Sequence, residues 1–74
     1  MGNLPQVRPD QLVRALLRAG FRIDRTAGSH VILEREDGRF ANIPMHAGRD
    51  VPRGLLASIL KTAGLNADEL RALL

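Results

Sequence analysis

Two histidines are the only side chains in this 74-residue sequence with an ordinary pKa near neutrality. His30 follows Gly28 and Ser29 and leads into the apolar run Val31-Ile32-Leu33, while His46 lies just past Ile43-Pro44. Histidine serves as either proton acceptor or proton donor at neutral pH. A glycine ahead of it lets backbone come close to an anion, and a serine adds a hydroxyl donor. Arg22 and Arg25 just upstream, and Arg39 beyond an Asp37-Gly38 turn, are candidates to hold a phosphate, because a guanidinium presents a planar fork of donors. Read together, these residues suit proton transfer at a phosphoryl group. They equally suit a plain hairpin, with Gly28-Ser29 as an ordinary turn, the arginines as a solvated face and His30 as a satisfied structural residue. Spacing alone leaves both readings open.

Composition narrows the setting. The length allows one small domain, and a chain of this size buries only about 60% of the surface its unfolded form exposes. With no cysteine there is no disulfide and no thiolate zinc site, and two histidines make a poor metal cage, so no metal and no other cofactor is expected. Aromatic residues are 3% of the chain, which leaves the core to aliphatic side chains. No apolar run approaches the roughly 18 residues of a membrane helix. The first residues lack a basic-then-apolar signal design, and Gln6 stands where a myristoylation pattern has Ser or Thr. A cytoplasmic protein is the expectation.

The net charge is +3, and it is uneven. The first 33 residues carry five arginines against two aspartates, whereas the remainder balances six cations with six anions. All the cations but Lys61 are arginines. An anionic partner fits this pattern, nucleic acid above all. Arginine usage inherited from a GC-rich genome fits it as well.

The elements that must position these residues follow from periodicity. Residues 1–7 read as a loose tail, and 8–74 as the folded domain. Pro9-Asp10 opens a helix whose apolar stripe is Leu12, Val13, Leu16 and Leu17, and Gly20 closes it. The run Phe21–Arg25 alternates as a short strand, with Phe21 and Ile23 on one face. Thr26–Ser29 is a turn, His30–Glu36 a second strand, Asp37-Gly38 a type I′ hairpin turn, and Arg39–Pro44 a third strand. Strict alternation puts His30 with Ile32 and Glu34, opposite Val31 and Leu33, so His30 is assigned instead to the turn edge. Pro52 starts a second long helix with Leu55, Leu56, Ile59, Leu60 and Ala63 inward and Gly64 at its end. Asn66 and Glu69 form a capping box for a short closing helix. The fold class is α+β: helix, three-stranded antiparallel meander, helix, short helix, with the helices on one sheet face and the other face free.

The ordered set Ala19-Gly20-Phe21, Gly28-Ser29-His30, Ile43-Pro44 with His46, and Gly54 to Leu65 ending in "ILKTAGL" resembles the HicA-type, or YcfA-like, messenger-RNA interferase toxins. The resemblance covers residues 8 to 74. It implies an α-β-β-β-α fold like that of double-stranded-RNA-binding domains. It further implies the toxin of a type II toxin–antitoxin pair, an endoribonuclease that cleaves mRNA without a metal, and a HicB-type antitoxin as protein partner. The toxin is expected to be monomeric outside that complex. The histidine of the Gly-Ser-His motif, here His30, is the family's catalytic residue. Where many members carry a second histidine after the motif, this chain has Val31. Where basic residues often precede the third strand's Ile-Pro, it has Ala41 and Asn42.

RNA carries its own nucleophile, the 2′-hydroxyl. Its cleavage needs a base for that proton, donors or cations for the charged phosphorus, and a proton for the leaving oxygen. His30 is the candidate base or acid. Gly28, Ser29, Arg22, Arg25, Arg39 and His46 are candidate RNA contacts. A non-catalytic RNA-binding module and a degenerate toxin that only binds its antitoxin are the alternatives.

Overall fold

Helix α1 (Pro9–Arg18) starts where proline already has a helical φ and where Asp10 meets the positive end of the helix dipole. Gln11 Oε1 accepts the N–H of Arg8 at 2.9 Å, one half of a capping box; the Arg8 guanidinium has no acceptor with which to supply the other half. The buried stripe is Leu12, Ala15 and Leu16, narrower than the sequence implied: Leu17 is 43% exposed, and Ala15 takes the inward position. After Gly20 (φ +92°), the strands β1 (Arg22–Ala27), β2 (His30–Glu34) and β3 (Phe40–Pro44) follow. Helices α2 (Arg53–Ala63) and α3 (Ala67–Leu73) end the chain, in a computed structural model that describes residues 3–74. Gly64 closes α2 in the left-handed region, and Asn66 and Glu69 form the expected reciprocal cap of α3 at 2.8 and 2.9 Å.

The strands form one antiparallel sheet in the order β1-β2-β3, so β2 is central. Ala27 pairs with His30, which leaves Gly28 and Ser29 as a two-residue loop. Positive φ at its first position only, +59° at Gly28, is the II′ pattern that suits the twist of a hairpin. The second hairpin is not the expected I′ turn, which needs positive φ at two successive residues. Only Gly38 has it. Arg35 accepts from Gly38 N–H at 3.0 Å and pairs with Arg39 at 2.8 Å, so the loop is three residues with a bulge at the glycine.

The side chains Leu33, Ala41 and Ile43 are fully buried and belong to one core with the inward residues of all three helices. Phe21, Val7 and Val51 complete it. Val7 is 1% exposed and its carbonyl accepts from Val51 N–H at 2.8 Å, while Leu4 packs against the core. The expected loose tail therefore does not reach residue 7; its first two residues lie outside the described residues. Ile23 differs too. Its partner is buried Leu33, yet it is 49% exposed because it lies on an edge strand whose every residue is exposed.

Candidate active site

The helices pack on the side of the sheet that bears Leu33, Ala41 and Ile43. Alternation along β2 and β3 then turns His30, Ile32 and Glu34, and Phe40, Asn42 and Pro44, to the opposite face. His30 is thus a member of the central strand, paired with Ala27 on one side and Pro44 on the other. It does not sit in the turn as its apolar neighbours suggested. Half-buried Ile32 is the residue that accepts the outward position instead.

Strict alternation along β1 would send Arg22 and Arg25, three apart, to opposite faces. The register slips between Ile23 and Arg25, and this bulge aligns Arg22 with Glu34 and Arg25 with Ile32. Both arginines therefore share the open face with His30. Arg25 is two residues from Ala27, the partner of His30, which makes it a diagonal neighbour at about 7–8 Å between backbones. Arg22 lies four residues along, roughly 14 Å away, and stands 3.6 Å from the Glu34 carboxylate.

On the other flank of His30, Asn42 occupies the equivalent diagonal position. Its Oδ1 is 2.8 Å from His30 Nδ1. Beyond it a groove of about 250 Å³ runs between this face and α2, lined by His30, Phe40, Asn42, Pro44, Leu55, Ser58, Ile59 and Thr62. The Ser58 and Thr62 hydroxyls spend their protons on carbonyls of their own helix, at 3.2 and 3.1 Å, so they present lone pairs to an occupant. Phe40 is 49% exposed, while the other phenylalanine, Phe21, is buried.

Gly28 and Ser29 are exposed beside His30, with open space where a Cβ would stand on Gly28. The structure does not bring Arg39 to this group. Arg39 pairs with Arg35, roughly 17 Å along the ladder, and alternation turns it to the helix side. There it donates to Gly64 O at 3.5 Å and lies 3.3 Å from Asp37. His46 is exposed in the loop after β3 and lines a different cavity, about 330 Å³, with Arg8, Pro9 and Asp10. A third cavity that His46 lines shares Pro44 and Leu55 with the His30 groove, so the two histidines occupy adjoining surfaces.

The chain matches the family model of the HicA toxin of bacterial toxin–antitoxin systems over residues 9–65, from the first residue of α1 to just past the end of α2. It belongs to the HicA toxin family. A comparison with curated proteins found no match. Membership implies a toxin–antitoxin partner for this HicA chain, and the matched span contains every residue placed on the open face. Among the described residues of the HicA chain no helix is long and apolar enough to cross a membrane. No three His, Cys, Asp or Glu side chains among them are grouped as a metal site.

Sequence reasoning did not single out Asn42 or Phe40. The signal for both was parity: residues 40, 42 and 44 share a face, and His30 opposes Pro44 once the hairpin loop is counted as three residues. With the two-residue I′ turn the parity of β3 against β2 is lost, and so is the Asn42 contact.

Proposed function

We propose that this HicA-family chain is a toxin that cleaves messenger RNA by proton transfer at His30, without a metal ion. The observation that carries the proposal is the placement of His30 on the central strand of the sheet face opposite the core, beside the groove along α2 and between Arg25 and Asn42. His30 Nε2 accepts the proton of a 2′-hydroxyl. The freed 2′-oxygen bonds to the adjacent phosphorus, and the bond from phosphorus to the 5′-oxygen breaks. The leaving 5′-oxygen takes its proton from solvent, so the products are a 2′,3′-cyclic phosphate end and a 5′-hydroxyl end. Arg25 opposes the extra negative charge on phosphorus, and the exposed Gly28-Ser29 turn lets the RNA backbone approach. DNA lacks the nucleophile and is left intact. A HicB-type antitoxin that covers this face suppresses the reaction.

The test is incubation of the purified chain with unstructured RNA in EDTA. Cleavage is expected from the wild type and none from folded His30→Ala. Full cleavage by that variant overturns the role of His30. Salt-sensitive RNA retention with no product from the wild type marks a binding module instead.

A further inference from the structure

We infer that Asn42 is a positioning residue that fixes the tautomer and the ring plane of His30. This rests on the reading of His30 as the proton acceptor, and it concerns how the ring is prepared for that task. A carbonyl oxygen only accepts, so the amide orientation that sets Asn42 Oδ1 at 2.8 Å from Nδ1 pairs with the ring form that carries its proton on Nδ1. Nε2 is then left with its lone pair. A free histidine side chain favours the other tautomer, with the proton on Nε2 and nothing there to accept a second. Which ring nitrogen carries the proton is set by the hydrogen bond the other makes. Asn42 thereby converts the minor form of the ring into the one that can take a proton at its outward edge.

Placement supports this role. Asn42 is a diagonal neighbour across the β2–β3 ladder, so its side chain and the His30 ring rise from the same face at the spacing that long side chains bridge. Pro44, Leu55 and Ile59 line the same groove beside the pair. An alanine at this position leaves Nδ1 to solvent and the ring free to turn. An aspartate keeps an oxygen acceptor in place.

The experiment is long-range ¹H–¹⁵N correlation NMR of the full chain in mildly alkaline buffer, where neutral imidazoles report their tautomer directly. His46 is the only other histidine and serves as the internal reference. The wild type is expected to show His30 with its proton on Nδ1. Asn42→Ala is expected to move His30 to the Nε2–H form and leave His46 unchanged, and Asn42→Asp to retain Nδ1–H. In single-turnover RNA cleavage, Asn42→Ala should lose about tenfold in rate constant at saturating RNA, with KM little changed, and Asn42→Asp should recover most of it. An Nε2–H signature in the wild type, or an unchanged signature in Asn42→Ala, overturns the inference. Full cleavage by His30→Ala overturns the catalytic reading alone, because the tautomer signature is read without RNA.

Discussion

Glutamine in place of Arg25 and of Arg39, one at a time, separates two cations that the sequence presents as equivalent candidates. Arg25 shares the open face with His30 at about 7–8 Å. For a unit charge about 7 Å from a phosphate centred on His30, Coulomb's law gives roughly 0.6 kcal/mol at the dielectric of water and 2.4 kcal/mol at an effective value of 20. Those limits correspond to about 3-fold and 50-fold in rate. Arg39 is on the other side of the sheet, roughly 17 Å along the ladder, which is about two Debye lengths at physiological salt. Its direct effect on the phosphate is therefore close to nothing.

The two substitutions differ in the opposite sense for stability. The Arg25–Asp24 pair, at 3.4 Å with the arginine side chain 67% exposed, contributes little. Arg39 closes the C-terminal end of α2 through Gly64 O, a contact worth roughly 0.3–1 kcal/mol. The assay is single-turnover cleavage of unstructured RNA in EDTA at low and at physiological salt, with thermal melts of the same samples. Arg25→Gln should slow cleavage about 3- to 50-fold at low salt, less at high salt, with an unmoved melt. Arg39→Gln should lower the midpoint by a few degrees and keep its rate, per folded molecule, within about twofold of wild type. Slower cleavage by folded Arg39→Gln than by Arg25→Gln would refute the face assignment.

Leu33→Ala removes a fully buried side chain of the central strand and should cost about 3–5 kcal/mol, a large part of the roughly 4–11 kcal/mol expected for a domain this size; urea unfolding reads it. Gly28→Ala puts a Cβ into open space at φ +59° and should cost about 1 kcal/mol through backbone strain alone. Gly64→Ala adds to similar strain a Cβ that displaces the flexible Arg39 guanidinium, 2.9 Å away, and with it the contact to Gly64 O, so its melting midpoint should fall further than that of Gly28→Ala. Phe40→Ala exposes no new cavity and should change stability by less than about 1 kcal/mol. If a base stacks on that ring in the His30 groove, the same variant should raise KM about five- to a hundredfold in RNA cleavage.

The order of elements was legible because each carried two agreeing signals: a period and a terminator. Pro9 and Pro52 opened helices, Gly20 and Gly64 closed them, and Asn66 with Glu69 marked the last one. What the sequence hid were single-residue offsets. The bulge beside Asp24 and the third residue of the second loop each reverse the parity of everything beyond them, and neither changes hydrophobic periodicity enough to be read. His30 illustrates the consequence. Its strand has three apolar residues in a row, and only the observed pairing shows that Ile32 is the one that faces outward beside it. Burial of Val7 was hidden for another reason: its partner is the backbone of Val51, far along the chain, and no local pattern announces such a contact.

The arginines resolve into roles that composition could not distinguish. Arg35 donates to Ala19 O at the end of α1, Arg39 to Gly64 O at the end of α2, and Arg18 to Leu73 O at the end of α3. A guanidinium at each helix C-terminus satisfies a carbonyl that the helix leaves without a partner and opposes the negative end of its dipole. Three of the ten arginines are thus explained by the fold itself. On the sheet face opposite the core, Arg22 and Arg25 cap no helix end. Each has a carboxylate beside it, Glu34 at 3.6 Å from Arg22 and Asp24 at 3.4 Å from Arg25, and Arg25 is the one nearer His30.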